Sequence, residues 1–119
     1  MTYREFLESK IELATDSGFE VDKSRINKAL KSHQSDAVAW ALKGGRRALF
    51  ESFGLGKTAQ EIEFCHLAAE HTGGRALIVL PLGVKQEFTR DAVELLGYEK
   101  PEYCRTMEEV EASTSQIVL

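Results

Sequence analysis

A lysine and a threonine that follow two closely spaced glycines form the strongest chemical signal in this chain. The residues run Glu51-Ser52-Phe53-Gly54-Leu55-Gly56-Lys57-Thr58. Because Gly54 and Gly56 have no Cβ, the backbone there can curl and aim several N–H groups at one anion. At the start of a helix, the Lys57 ammonium would reach the β- and γ-phosphates of a nucleotide, and the Thr58 hydroxyl would bind Mg²⁺. We therefore predict a nucleotide-phosphate and Mg²⁺ site formed by Phe53, Gly54, Leu55, Gly56, Lys57 and Thr58, with Lys57 as its catalytic cation.

The general phosphate-loop pattern is G-x-x-x-x-G-K-[ST], and Glu51 stands where its first glycine would be. The alternative interpretation is an ordinary glycine turn between a strand and a helix, with Lys57 and Thr58 as first-turn residues. A cation in the first turn opposes the helix dipole, so Lys57 is easier to explain if an anion binds there.

Apolar runs predict the strands that would position this loop. We expect a strand at Ala48–Phe50 before the loop, a central parallel strand at Ala76–Leu80 covered on both faces, a short strand at 101–105 and another at 116–119. Strands that alternate with helices predict an α/β fold with a parallel sheet and flanking helices. The ligand of such a sheet binds at the carboxyl ends of the strands, which is where the loop after Phe50 lies.

Helical periodicity predicts the remaining elements. An amphipathic helix over Tyr3–Ala14 is expected to pack through its apolar stripe, and a second helix capped by Ser32 or Ser35 is expected to end at Gly44-Gly45. A third helix is predicted from Lys57 to about Glu70, with Ile62, Cys65, His66 and Ala69 facing inward. A fourth is predicted from Lys85 to Leu96, with Phe88, Ala92, Leu95 and Leu96 facing inward. A short helix is predicted from Thr106 to Glu111.

Composition fits a single domain of a soluble, cytoplasmic protein. The chain has 119 residues, of which 43% are hydrophobic and 29% charged, with no signal peptide after Met1 and no run long enough to cross a membrane. Cys65 and Cys104 are far apart, which favours reduced thiols over a metal site. The net charge of −4 argues against tight nucleic-acid binding by this chain alone.

Two more segments narrow the class of protein. Leu30, Gln34 and Trp40 precede the loop with the spacing L-x-x-x-Q-x-x-x-x-x-W, and the apolar run 76–80 ends in Pro81-Leu82-Gly83-Val84-Lys85. In this order, the motifs resemble the first motor lobe of superfamily 2 helicases, most closely the Swi/Snf-like branch and its phage-encoded relatives. An acidic residue at the position of Glu51 is expected in that branch.

The resemblance implies a partial RecA-like P-loop domain over residues 30–119, preceded by an N-terminal helical extension over residues 1–29. It implies that Gln34 recognises the adenine of ATP, a role that suits an amide because it offers both a donor and an acceptor. It also implies that Pro81, Leu82 and Lys85 contact DNA, with RNA as the alternative, in an ATP-dependent helicase or translocase.

Parts of such a motor are missing from the sequence. Its family carries an Asp-Glu pair that holds Mg²⁺ and orients water, whereas none of the aspartates here (Asp16, Asp22, Asp36, Asp91) is followed by Glu. We therefore expect a fragment, truncated inside the lobe, that does not hydrolyse ATP at a useful rate and whose open sheet edge favours self-association. Two alternatives stay open: another phosphate-loop NTPase such as a small kinase, and a non-catalytic interaction or regulatory module with a vestigial loop.

Overall fold

A computed structural model describes residues 1–9, 16–49 and 56–119 of the chain. Within these ranges the helices are α1 (Tyr3–Ser9), α2 (Ser32–Gly44), α3 (Lys57–Thr72), α4 (Lys85–Arg90) and α5 (Met107–Ala112), and the strands are β1 (Ala76–Leu77) and β2 (Ile117–Val118). A π-helical turn at Asp91–Leu95 continues α4, and short 3-10 turns lie at Lys23–Arg25 and Leu82–Val84. No helix in these ranges combines the length and the apolarity needed to cross a membrane.

A small parallel sheet organises the second half of the chain. Ala76 pairs with Ile117 and Leu77 with Val118, and the Ile78 amide extends this ladder by donating to the Val118 carbonyl at 2.9 Å. On the other side of β2, Glu102 forms a parallel bridge with Val118. β2 therefore lies between β1 and the predicted strand at 101–105, which is reduced to this bridge. The two strands pair in parallel and are separated by helices in the sequence, which agrees with the predicted α/β class.

Two strand predictions were wrong in extent. Ala48 and Leu49 form no strand, and Phe50 lies outside the described residues. The predicted strand at 76–80 covers only Ala76–Leu77, and its side chains alternate: Leu77 is 53% and Val79 89% exposed, whereas Ile78 is 3% exposed. A run of apolar residues does not reveal how many layers cover it. Only the face that carries Ile78 contributes to the core, so the expectation of cover on both faces was wrong.

Helix ends follow from local residues. Gly45 and Gly73 adopt positive φ angles of 79° and 69°, which only glycine accepts without strain. Gly45 terminates α2, as predicted, and Gly73 terminates α3. Thr106 caps α5 by accepting a hydrogen bond from the Glu109 amide, also as predicted. The cap of α2 differs, because Lys31 occupies the N-cap position instead of Ser32 or Ser35.

The helix after Pro81 is interrupted. Phe88, Ala92 and Leu96 are buried as predicted, but Leu95 is 47% exposed. The π-helical turn over Asp91–Leu95 widens the helix by one residue per turn, which rotates Leu95 away from the core.

α1 carries no buried residue. Tyr3, Phe6 and Leu7 are 76%, 45% and 46% exposed. The expected packing of this amphipathic helix was therefore wrong for Tyr3–Ser9, and the remainder of its predicted stripe, Ile11 and Ala14, lies outside the described residues.

The core lies between α2, α3, α4 and the sheet, and its apolar members include Val38, Leu42, Ile62, Leu67, Ile78, Phe88 and Ile117. On α3, Ile62 and Ala69 are buried as predicted, while Cys65 and His66 are half-buried. Two polar residues of the same helix, Gln60 and Glu63, are fully buried, which the sequence pattern did not indicate.

Glu63 is the centre of a buried hydrogen-bond network. Its carboxyl group accepts hydrogen bonds from the Asn27 backbone N–H at 2.5 Å and from the Tyr98 hydroxyl. The Asn27 side-chain amide in turn donates to the Leu96 carbonyl at 2.7 Å, and the His66 ring stacks on Tyr98 with 3.9 Å between centroids. Burial and the hydrogen bond to Glu63 raise the pKa of Tyr98. The network joins the segment before α2 to α3 and to the end of the π-helical turn.

Candidate nucleotide-binding site

The described part of the predicted phosphate loop is its last three residues, Gly56, Lys57 and Thr58. Phe53, Gly54 and Leu55 lie outside the described residues. Gly56 is the N-cap of α3 and adopts a left-handed conformation with φ 74° and ψ 41°. α3 begins at Lys57 and runs for 16 residues. The N–H groups of its first turn and the positive end of its dipole therefore lie next to Gly56. Lys57 is exposed and Thr58 half-buried.

Gln34 lies directly against Gly56. A Cβ built on Gly56 would lie 2.2 Å from Gln34 Nε2, a distance at which atoms overlap. The other end of the amide is fixed as well, because Gln34 Oε1 accepts a hydrogen bond from the Lys31 backbone N–H at 2.8 Å. The first turn of α2 therefore meets the N-terminus of α3, and the residue predicted to read adenine lies beside the N-cap of α3.

A cavity of about 370 Å³ lies between α2 and α3; Lys57 lines it, whereas Gln34, Gly56 and Thr58 do not. Its polar positions include Lys57, Arg47 and Glu61, and the rest of its wall is mostly apolar, with contributions from Val38, Leu49 and Phe64. No ion pair joins Lys57 to a carboxylate among the residues that the structure describes. Lys57 lines the cavity together with the Arg47 guanidinium and the Glu61 carboxylate.

Arg47 contributes a second cation to the cavity. Its guanidinium pairs with Asp16 at 2.5 Å and lies over the Trp40 ring at 4.3 Å from the centroid. These contacts hold the side chain in place, and a cation over an indole is an attractive arrangement. Trp40 is 46% exposed and supports Arg47 from the surface of α2. Arg47 was not predicted as a site residue from the sequence, where its signal was its place just before the apolar residues that precede the loop.

Cys65 lies in the wall of the same cavity. Burial, together with the nearby Glu61 carboxylate, raises the pKa of its thiol to about 12. A thiol with such a pKa stays protonated at neutral pH and is a poor nucleophile. Cys65 is thus a wall residue, and the cavity contains no reactive thiolate.

The predicted nucleic-acid residues lie elsewhere, where the chain leaves β1. Pro81 and Leu82 are exposed, and Lys85 is half-buried at the start of α4, with its ammonium 4.1 Å from the centroid of the Tyr103 ring. None of the three lines the cavity beside Lys57. The structure therefore separates the candidate nucleotide residues from the candidate nucleic-acid residues.

The fit of Mg²⁺ and of a nucleotide can be tested on these residues. The space that a Cβ on Gly56 would fill is taken by the Gln34 amide, so it is not open to a phosphate. Thr58 offers a hydroxyl for the metal, but no group of three His, Cys, Asp or Glu residues that could hold a metal ion occurs in residues 1–9, 16–49 and 56–119.

Comparison of this chain with protein-family models, with curated proteins and with solved structures gives no match.

Proposed function

We propose that this chain binds ATP through residues 53–58 and belongs to the first motor lobe of an ATP-dependent DNA helicase or translocase of the superfamily 2 type. The observation that supports the proposal is the contact between Gln34 and Gly56. Gln34, which was identified by its order and spacing before the phosphate loop, adjoins the last glycine of that loop in space.

The chemistry of each side chain fits its proposed role. Lys31 fixes the orientation of the Gln34 amide, and that orientation decides which edge of a purine the amide matches. The first-turn N–H groups of α3 and the Lys57 ammonium would stabilise the phosphate charge. Bound Mg²⁺ would neutralise part of the triphosphate charge, with Thr58 as its protein ligand. Pro81, Leu82 and Lys85 would contact the DNA backbone, which gives affinity without reading the sequence.

Nucleotide titration followed by amide chemical shifts tests the proposal. ATP with Mg²⁺ should shift the resonances of Gly56, Lys57 and Thr58 with a Kd in the millimolar range, equivalent to about −4 kcal/mol, because this lobe supplies only part of the contacts. Lys57→Ala should abolish the response. Lys43→Ala is the matched control, since Lys43 is an exposed lysine at the other end of α2, paired with Glu20.

Base selectivity separates the proposal from its alternatives. We expect ATP to bind more tightly than GTP, and Gln34→Ala to remove that preference while leaving a phosphate-dependent response. Binding that requires Lys57 but shows no adenine preference would favour another phosphate-loop NTPase, and no binding at any nucleotide concentration would favour a non-catalytic module. Either result would refute the ATP-motor proposal.

Hydrolysis is a separate expectation. We expect no steady phosphate release from ATP, because the sequence lacks the Asp-Glu pair that would position water and metal. Turnover by the pure chain that Lys57→Ala abolishes would contradict this expectation.

A further inference from the structure

His66 lies on α3 and contacts two other segments of the chain. Its ring stacks on Tyr98, which follows the π-helical turn, with 3.9 Å between centroids. Its Nδ1 lies 2.8 Å from Oε1 of Gln116, the residue before β2, and its Nε2 lies 3.2 Å from Oε1 of Glu70, one turn further along α3. Only 18% of the side chain is exposed. Both ring nitrogens are therefore held by contacts that the proposed function does not use.

Each nitrogen of the ring faces an oxygen atom. A neutral imidazole has one N–H donor and one bare nitrogen, so it can donate to Gln116 or to Glu70 but not to both. A protonated ring carries a hydrogen on each nitrogen and satisfies both oxygens. Glu70, as a carboxylate, can only accept, whereas the Gln116 amide meets a neutral ring only if its nitrogen turns towards Nδ1. The arrangement in the structure is therefore that of the protonated ring.

The charges around the ring also favour its protonated form. Glu70 faces Nε2, and its other oxygen lies 3.8 Å from Arg25 on the first 3-10 turn. Glu63, one turn before His66, is fully buried and forms no ion pair with a cation in the described part of the chain. It accepts from the hydroxyl of the tyrosine that stacks on the ring. The titratable and charged groups around the ring are thus Glu63, Glu70, Tyr98 and Arg25, and the segment before β2 presents the neutral Gln116.

The contact with Gln116 reaches the start of the sheet. The Gln116 carbonyl accepts from the Ala76 N–H at 2.8 Å, next to the pairing of Ala76 with Ile117. β2 has two residues, so the side-chain contact beside it ties the start of this short ladder to α3.

We propose that His66 is a pH-sensitive clamp that holds β2 to α3. When protonated, the ring donates to Gln116 and Glu70 together, and its charge offsets the carboxylates of Glu70 and Glu63. When the ring loses a proton it keeps one donor, so the contact with Glu70 loses its charge attraction or the contact with Gln116 is broken until the amide turns. Histidine changes charge between about pH 5 and about pH 8, and protonation that strengthens contacts adds stability at the acidic end of this window. That contribution is lost as the pH rises.

Nitrogen-15 NMR of the histidine rings in the unmodified chain tests the proposal directly. His66 should show two ring N–H signals that exchange slowly with water at about pH 5.5 and one at about pH 8. His33 is the internal control: it is exposed on α2, so its ring hydrogens should exchange too fast to be seen at either pH. The same number of His66 signals at both pH values, whether two, one or none, would overturn the proposal.

A double-mutant cycle at the same two pH values tests the energetic part. Glu70→Gln removes the charge and keeps the size, and His66→Phe keeps a ring on Tyr98 and removes both donors. At about pH 5.5, Glu70→Gln should lower the folding equilibrium constant about threefold more in the unmodified chain than in His66→Phe, and at about pH 8 this extra loss should vanish. The pair of Glu70 with Arg25 is present in both backgrounds and cancels.

The matched control for this cycle is His33→Phe, which removes an exposed histidine. Glu70→Gln should cost the same in His33→Phe as in the unmodified chain at both pH values. An extra loss of equal size at both pH values, or no extra loss at the acidic one, would overturn the proposal. Neither experiment involves Lys57 or a nucleotide, so the clamp and the proposed function fail separately.

Discussion

The contact between Gly56 and Gln34 makes a quantitative prediction for Gly56→Ala. Gly56 has a φ of 74°, so any Cβ there experiences left-handed strain of about 1–2 kcal/mol. The same Cβ would lie 2.2 Å from Gln34 Nε2, and that amide must move because the glycine backbone is fixed as the N-cap of α3. Movement of the amide breaks its 2.8 Å hydrogen bond from the Lys31 N–H, worth about 1 kcal/mol. We expect Gly56→Ala to lower the free energy of unfolding by about 2–3 kcal/mol.

The same helix provides the matched control. Gly73 ends α3 with a φ of 69°, yet a Cβ on it would meet nothing within 4 Å. Gly73→Ala therefore carries left-handed strain alone, about 1–2 kcal/mol. Both substitutions restrict the unfolded chain equally, so that effect cancels in the comparison. Gly56→Ala should be the more destabilising of the two by about 1 kcal/mol, which is the part due to Gln34.

Urea unfolding followed by circular dichroism measures these differences, and a double-mutant cycle isolates the contact. Gln34→Ala removes the obstructing amide, so Gly56→Ala in that background should cost no more than Gly73→Ala. The resulting interaction energy is about −1 kcal/mol. Equal destabilisation by Gly56→Ala and Gly73→Ala, or additive effects of Gly56→Ala and Gln34→Ala, would refute the reasoning and remove the support for a shared base and phosphate site.

Two other variants test the interior. In the Cys104→Ser variant, Cys65 is the remaining thiol. At pH 8 it should react with a disulfide reagent about three orders of magnitude more slowly than an ordinary thiol, because a pKa of about 12 instead of about 8.5 leaves far less thiolate. Normal reactivity in the native protein would contradict the buried position of Cys65, and reactivity in denaturant is the control. Tyr98→Phe should lower the free energy of unfolding by about 1–3 kcal/mol, because it deprives buried Glu63 of one hydrogen bond. Tyr3→Phe on exposed α1 is the control. If Tyr98→Phe lowers the free energy of unfolding no more than Tyr3→Phe does, the hydrogen-bond network around Glu63 contributes little to stability.

Helix positions and ends were predictable because they are encoded locally. Gly45, Gly73 and Thr106 each end or begin a helix through their own conformational or hydrogen-bonding preference, whatever the rest of the chain does. The burial of Phe88, Ala92 and Leu96 followed from helical spacing for the same reason. Leu95 escaped the pattern because a π-helical turn changes the spacing itself.

Burial of polar groups was not predictable because it depends on partners distant in the sequence. Glu63 reads as a solvent-facing residue of an amphipathic helix, yet it accepts from Asn27 and Tyr98, which are brought to it by separate segments. The faces of the apolar run 76–80 were equally hidden, since hydrophobicity alone does not state whether a second layer covers Leu77 and Val79.

The candidate site lies between these two cases. The Lys57-Thr58 motif can be identified from the local sequence alone. Gln34 can be identified only by its order and spacing in a family that the chain resembles. Neither pattern predicts the distance between Gln34 and the Lys57-Thr58 motif. Their proximity depends on α2 and α3 packing with their first turns together, which the core residues Val38 and Ile62 enforce from positions that bear no nucleotide chemistry. A glycine at position 56 has two separate reasons to be there: its left-handed φ, and the Gln34 amide that leaves no room for a Cβ. Only the second reason involves the residue proposed to bind adenine, so the cycle between Gly56 and Gln34 tests the contact on which the proposed function rests.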